Sequence, residues 1–585
     1  MKRTLMLLVC LMLAASAFSP VTTALAEDRE LIELTIFTLE NDANSADANG
    51  YAQDRVAQVI REELGIQLKY LKSTGSTVPE QAALMMATGN YPDIFIGTMG
   101  HDYVQNMLAS GKLYDLEALA KEHAPDVYKR YERFMPIWRD KLMLGPEDKL
   151  TAMALDAGGD EGTHVLGEAE WGVWLRYDMM KEIGNPDINN MTDVYEALKA
   201  MKEKFPTTPD GQSSLVLTGF LKETWGFEWG LMMPWTSGQG IYNLDGVYYT
   251  PDYSGKAITL GAPEDTMVYY TAARWYNKLY REGLFDPDAF NKLYDDAISG
   301  YNSGRFFGHI GGNDIGSAES YFNTNGNPDW IYNAYAPRAD GYEGLPMWYY
   351  MYAEDSGRTW TMIPITNEYP ERTMEMLDFL LSDRGQELIG RGLEGETFDF
   401  VDGKYHMHED FMAAMQSDTQ ATRWATGISI LSPYWGRRGI NPNNNQPFDY
   451  SVDPEFTTVG YTDAMKAMLK ETNQTFRGEI TRSKDYNIGC EWIAFAQGIH
   501  LPEELSIIRE EMRLTLFSEY LAKLIMAPTE EEFEAQVQAC QNKLDSIGVL
   551  DGVPGYERLS NYYEQLWTEN LDFINETMEA VGFEH

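Results

Sequence analysis

Gln81-Ala-Ala-Leu-Met-Met-Ala-Thr-Gly-Asn-Tyr-Pro-Asp-Ile-Phe-Ile-Gly97 sets the fold class. The apolar run up to Thr88 reads as a helix, and Gly89 supplies the left-handed residue on which helices often stop. Tyr91-Pro92-Asp93 makes a turn. Ile94-Phe95-Ile96 is then a short apolar run of buried-strand length, closed by Gly97. Alternating helices and strands build α/β sheets, whose loops at strand ends meet small molecules.

The same alternation extends outward. Ile32-Glu-Leu-Thr-Ile-Phe37 alternates apolar and polar residues, as a strand does. Val56, Val59, Ile60 and Leu64 have helical spacing, with Gly65 as the stop. Ile66 to Leu71 is strand-like, and Pro79 sits near the first turn of the helix that ends at Gly89. Strands separated by helices predict right-handed crossovers and a mostly parallel sheet. Lys149 to Leu155 reads as a strand crossing between lobes, after which Gly158, Gly159 and Gly162 loosen the chain. Trp171 to Met180 reads as a strand running into a helix. A helix from Thr192 to about Phe205 carries Val194, Leu198 and Met201 on one face, and Leu215 to Leu217 is a further strand. A second switch falls near residue 303, where Ser303 to Asn313 forms a strand ending in glycines, and a third between Leu345 and Pro364. Tyr369-Pro370 opens a helix carrying Met374, Met376, Leu377, Leu380 and Leu381. The chain beyond Pro502 is largely helical, with a capping box at Thr529 to Glu532. Asn441 to Asn445 reads as an exposed loop.

The 585 residues, 44% hydrophobic, support two or more lobes. Lys2-Arg3, an apolar run from Leu5 to Ala15, and Ala24-Leu25-Ala26 form a secretory signal over residues 1–26. The run is too short to span a bilayer. Val9 stands where a lipid-attachment signal needs a small residue before its cysteine, so Cys10 is not expected to carry a lipid. Formal net charge is −44, and loss of Lys2 and Arg3 with the signal takes it to −46. Nucleic acid and anionic membrane surfaces, which demand basic patches, are excluded as partners. Phe533, Val537, Cys540 and Leu544 share a helical face, which makes Cys540 a buried small hydrophobe. A disulfide to Cys490 stays open.

Catalytic signatures are missing: there is no Cys-x-x-Cys, His-Glu-x-x-His, Gly-x-Ser-x-Gly or Gly-Lys-Ser/Thr. Gly390-Arg-Gly392-Leu-Glu-Gly395 matches a dinucleotide fingerprint by letters but follows a helix instead of a strand. With 8 dispersed His no metal site is expected, and no cofactor is expected. What remains is 14 Trp and 36 Tyr. Trp171, Trp174, Trp225, Trp235, Trp348 and Trp435 stand in loops or at strand ends. Flat rings stack on the apolar faces of sugars while Asn, Asp and Glu bond the hydroxyls.

Four segments, in order, resemble the maltose-binding-protein-like extracellular solute-binding proteins (family 1) of ABC importers, in their long lipoprotein-type subgroup. They are Glu80 to Gly97, Val173 to Gly184, Tyr301 to Gly312 and Glu371 to Glu387; Gly392 to Glu396 and Thr529 to Leu550 also look like the subgroup. The chain departs from the subgroup in lacking its lipid-attachment site, and Thr207 to Gln212 is too poor in carboxylates for a calcium loop. The resemblance implies an α/β, two-lobed periplasmic-binding-protein-like fold with a hinge of crossing strands and a helical C-terminal extension from about 502. The implied first lobe is 27–152 with 303–345, and the second is 153–302 with 346–585. It implies ligand in the interlobe cleft, bound by Glu40, Asn41, Asp42, Thr98, Met99, Gly312 and Asn313 from the first lobe. Asp156, Trp171, Trp174, Trp235, Trp348, Glu394 and Trp435 complete the set from the crossovers and second lobe. The polar residues would hydrogen-bond and the Trp would stack. The expected protein is an extracytoplasmic, monomeric, non-enzymatic carrier of an oligosaccharide that hands it to permease subunits. A peptide or amino-acid ligand would need an arginine for its carboxylate, with Arg176, Arg305 and Arg437 as candidates. A secreted polysaccharide hydrolase and a signalling receptor without a transporter are the other readings.

Overall fold

The computed structural model describes residues 29–38, 45–71, 78–98, 102–132, 134–139, 148–156 and 171–341 apart from 210, 224, 240, 242, 245, 251–253 and 313–314. It further describes 359–479 apart from 437, 438 and 460, then 501–552, 558–572 and 575. The expected signal, residues 1–26, lies outside the described residues, as does Cys490.

The first sheet follows the alternation read from the sequence: β1 (Ile32–Phe37), helix Arg55–Leu64, β2 (Ile66–Tyr70), helix Val78–Thr88 and β3 (Ile94–Thr98). β1 lies between β2 and β3 and runs parallel to both, with Ile32 opposite Ile66 and Ile36 opposite Ile94. Ile94, Phe95 and Ile96 are buried on both faces, as expected of an interior strand in a covered sheet. The Asp93 carboxylate accepts from the Thr35 N–H and hydroxyl, both at 2.7 Å, which ties the turn before β3 to β1. Gly97 has to be glycine, because a Cβ there would stand 2.4 Å from Val104 Cγ2.

The second sheet begins at β4 (Trp171–Arg176), which runs into helix Tyr177–Glu182 as expected. A small hairpin sheet follows, with β5 (Asn243–Leu244), β6 (Val247–Tyr249) and β7 (Ala257–Thr259). Then come β8 (Gly308–Gly312), β9 (Tyr332–Tyr335) and β10 (Thr359–Met362). β4 sits between β8 and β9, antiparallel to both. The mostly parallel arrangement therefore holds for β1 to β3 but not here. β8, helix Gly316–Thr324 and β9 make a crossover whose gap is filled by β4, a strand from far earlier in the chain running the other way.

Register corrects the expected lobe boundaries. Residues 303–345 are expected in the first lobe, but β8 and β9 pair with β4 in the second. The chain from 346 is expected in the second lobe, but β10 adds antiparallel to the edge of the first sheet, with Thr359 opposite Thr98 and Met362 opposite Phe95. Helix Pro370–Leu381 stays in the first lobe, where Asp378 accepts from the N–H groups of Asp126 and Val127, both at 2.9 Å. The return to the second lobe comes near residue 461. There Tyr177 donates to Glu471 at 2.9 Å, and Asn277 donates to the Ile525 and Ala527 carbonyls.

Several local expectations meet the structure directly. Pro370 is the first residue of its helix, and the buried face of that helix includes Met374, Met376, Leu377, Leu380 and Leu381. Thr529 caps helix Glu530–Ser546 by accepting from the Glu532 N–H at 3.2 Å, and Cys540 is buried and unpaired inside it. Lys149 to Leu155 is not a full strand: it meets β10 through one bridge, Met153 to Thr361. Leu215 to Leu217 likewise keeps a single bridge, Leu217 to Phe285. Asn441 is buried instead of exposed, because its amide donates to the Tyr405 hydroxyl at 2.6 Å. No described helix is long and apolar enough to cross a membrane.

Asp54 caps helix Arg55–Leu64 by accepting from the Ala57 N–H at 2.8 Å, while its other oxygen is buried without a partner. Burial raises its carboxyl pKa to about 6. A pKa raised on folding gives stability that is complete below about pH 4 and is lost as pH climbs through about 6. Asp54→Asn keeps a capping oxygen and removes the titration. Urea unfolding of parent and variant should show the variant gaining, relative to the parent, on the order of 2 kcal/mol between about pH 4 and pH 6; a difference that is flat with pH contradicts this assignment.

Candidate ligand-binding site

Where β3 ends and β10 begins, the two crossings of the chain lie side by side. Thr98 and Thr359 are register partners. Asp156, just past the Met153 bridge, accepts from the Thr359 N–H at 3.4 Å. The Thr98 N–H donates to the Tyr103 hydroxyl at 3.2 Å, and burial pushes that phenol above its ordinary range. The Thr359 hydroxyl and the Trp360 indole N–H are buried without partners. Thr98, Asp156 and Thr359 thus form a polar cluster, or rim, where β3 ends and β10 begins, backed by the buried Tyr103. The sequence offered no sign of Thr359, because its role comes from pairing across the 261 positions of chain between Thr98 and Thr359; Tyr103 lies only five residues from Thr98 and carries no motif that marks it.

In the second lobe, Trp171 and Gly312 are partners across the β4–β8 ladder, so the structure brings these two candidates together. Three candidate stacking rings are corrected by burial. Trp174 is fully enclosed and its indole N–H donates to the Gly311 carbonyl at 3.1 Å. Trp235 packs on Trp275 and Tyr276 with ring centroids 5.6 and 5.9 Å apart. Trp435 is enclosed, with its N–H on Thr361 Oγ1 at 3.1 Å. A ring in the core has no open face for a sugar. Trp225 is partly exposed and packs, its ring tilted, against Phe220 and Tyr294. Glu394 lies exposed on the turn after helix Asp383–Arg391, bridged to Phe398 and away from the rim elements. Glu40, Asn41, Asp42, Met99, Asn313 and Trp348 lie outside the described residues.

Buried arginines serve the protein itself. Arg176 holds Asp178 in a two-pronged pair at 2.7 and 2.6 Å and lies 4.2 Å from the Trp330 ring centroid. As the first candidate for a peptide carboxylate, it is therefore already engaged. Arg305 donates to the Ser213 carbonyl at 3.0 Å, and Arg437 lies outside the described residues. Arg477 pairs with Glu319, both nearly without solvent exposure, and sits over the Trp174 ring at 5.2 Å. Glu319 also accepts from the Tyr332 N–H at 2.7 Å. Among the described residues no three His, Cys, Asp or Glu side chains gather as metal ligands.

This arrangement has known relatives. The profile of a family described as bacterial extracellular solute-binding protein matches residues 55–391. The chain belongs to that family. Its members are solute-binding components of ABC importers that act outside the cytoplasm, not enzymes. The alginate-binding protein AlgQ2, solved without calcium ion, is 16% identical with a TM-score of 0.56 over 94% of this chain and 100% of its own. An extracellular solute-binding protein from Bifidobacterium longum subsp. infantis is 13% identical, with a TM-score of 0.57 over 95% of this chain and 100% of its own. An EF-hand mutant of FusA from S. pneumoniae, in complex with fructo-nystose, is 15% identical, with a TM-score of 0.57 over 92% of this chain and 100% of its own. These likenesses show the two-lobed fold. Lipoprotein LipO of Bacillus subtilis (strain 168) is 29% identical over 119 residues, which is 20% of this chain and 21% of that protein; the match spans about a fifth of that relative.

Removing one partner of a buried ion pair leaves an uncompensated charge. Arg477→Met should therefore lower the stability of this solute-binding protein by about 3–5 kcal/mol in urea unfolding. Adding Glu319→Leu should recover much of the loss. Equal loss in single and double variants would show that the pair is not coupled.

Proposed function

We propose that this chain captures an oligosaccharide in the cleft between its lobes and delivers it, as a monomer, to the permease subunits of an ABC importer. The observation that carries the reading is the fold, shared over more than nine-tenths of the chain with proteins whose descriptions name alginate and fructo-nystose. The polar rim where β3 ends supports it. Thr98 and Asp156 offer a hydroxyl and a carboxylate, which match a polyol in the way hydrogen-bonding groups fix a ligand in a largely preformed cleft. β1 and β3 run parallel, so their C-terminal ends lie at the same end of the sheet. On this reading Glu40, Asn41, Asp42, Met99, Trp171, Gly312, Asn313 and Trp348 are the further ligand contacts that the family resemblance implies. The amino-terminal signal fits a protein that works outside the membrane. Engagement of Arg176 by Asp178 weighs against the peptide alternative.

The test is a thermal-shift and calorimetric screen of residues 27–585 against oligosaccharides, amino acids and peptides. A ligand at a hundredfold excess over its Kd adds about 2.7 kcal/mol to the folded state. One glycan class should shift the midpoint, and Asp156→Ala or Thr98→Ala should weaken that glycan about tenfold, equivalent to about 1.4 kcal/mol. A response to peptides alone, or rim variants with parental affinity, would contradict the proposal.

A further inference from the structure

The first lobe holds a second concavity built from elements that do not form the rim. Hairpin β11 (Phe398–Val401) and β12 (Lys404–Met407), helix Glu409–Ser417 and helix Pro454–Val459 enclose a pocket of about 460 Å³. That size falls within the range of about 300–1,000 Å³ typical of small-molecule sites. Arg391, at the end of helix Asp383–Arg391, lines the pocket with almost no solvent exposure. Its Nε and Nη2 donate to the Pro447 carbonyl at 3.0 and 2.8 Å, Nη2 also meets Asp453 at 2.7 Å, and its plane lies 4.4 Å from the Tyr405 ring centroid. Nη1 is different. Among the described residues its one hydrogen-bond partner is the Met407 thioether at 3.7 Å, a weak acceptor for a cationic donor.

The surroundings define what would complete it. Asp453 already matches the guanidinium charge, Glu409 lines the same pocket, and the chain carries −44 overall, so an added anion would be repelled. A neutral oxygen suits Nη1. Met407, Met412 and Phe456 supply an apolar wall, and Phe456 packs edge-on against Tyr450, with ring centroids 4.4 Å apart. Glu409, in the first turn of its helix, is an acceptor for hydroxyl protons.

We infer that this pocket is an accessory sugar subsite that takes one neutral pyranose unit, its C–H face on Phe456 and the methionines, an oxygen on Arg391 Nη1 and a hydroxyl on Glu409. The choice of ligand class rests on the oligosaccharide reading of the cleft. Placement outside the rim lets the first lobe hold a glycan before the lobes close on it.

Saturation-transfer NMR on the intact chain tests this, with methyl glucoside, methyl galactoside and N-acetylglucosamine as probes. Ala413→Trp fills the pocket from an exposed position of helix Glu409–Ser417, and Glu409→Gln removes the charge on its wall. Expected is a signal for at least one monosaccharide that is weakened in Glu409→Gln, lost in Ala413→Trp and retained in the Thr98→Ala, Asp156→Ala double variant. No signal for any probe, or a signal indifferent to both pocket variants, overturns the inference. If the pocket variants abolish monosaccharide binding while no oligosaccharide responds to the rim variants, the subsite stands and the cleft reading falls. Circular dichroism melting of each variant separates loss of binding from loss of fold.

Discussion

The four-residue ladder between Thr359–Met362 and Phe95–Thr98 is the pairing on which the rest of the molecule depends. It brings the chain back to the first sheet after the whole of β4 to β9 has been built elsewhere, and so defines where one lobe ends and the other begins. The ladder tolerates this because it is packed to contact on both faces. Gly97 leaves room for Val104, Trp360 meets Trp138 edge to face at 5.9 Å, and Trp435 donates to Thr361. Such a core has little freedom to shift. The polar rim of Thr98, Asp156 and Thr359 hangs directly from these strands. A rigid scaffold thereby positions the groups best placed to meet a ligand.

In the second lobe, ion pairs add orientation to the apolar core. Arg477 with Glu319 docks the segment that follows helix Asp463–Thr472, and Arg513 with Glu228 at 2.7 Å docks the C-terminal helices. A buried pair of this kind adds little net stability over an apolar substitute, but it penalises every arrangement that separates the partners. The C-terminal extension is thus held in one place on the second lobe, with Asn277 on the Ile525 and Ala527 carbonyls as a further lock. If the lobes close on ligand as proposed, the hinge falls where the chain passes between them, after 156, before 359 and near 461.

Much of this was readable from local pattern. Helix stops at Gly65 and Gly89, the β1, β2 and β3 runs, the Tyr369-Pro370 start and the Thr529 cap all follow from residues within a few positions of each other. What failed was long-range. Nothing in Thr359-Trp-Thr-Met362 says that it pairs with Phe95 to Thr98, so the lobe boundaries drawn at 303 and 346 put β8, β9 and β10 in the wrong halves. The Trp residues failed for a related reason. Trp174, Trp235 and Trp435 sit beside strand ends and crossovers in the sequence, but tertiary packing closes over their rings and gives two of their N–H groups protein acceptors. Thr98 and Asp156 were legible as strand-end polar residues; Thr359 was not, since only the fold makes it their neighbour.

Small-angle X-ray scattering of residues 27–585, with and without the oligosaccharide that stabilises it in the screen, addresses the central claim most directly. If the two lobes close on a glycan bound between them, the radius of gyration falls on saturation, and Asp156→Ala requires more ligand to reach the same compact state. A glycan that raises the melting midpoint while leaving the scattering profile unchanged would contradict the account.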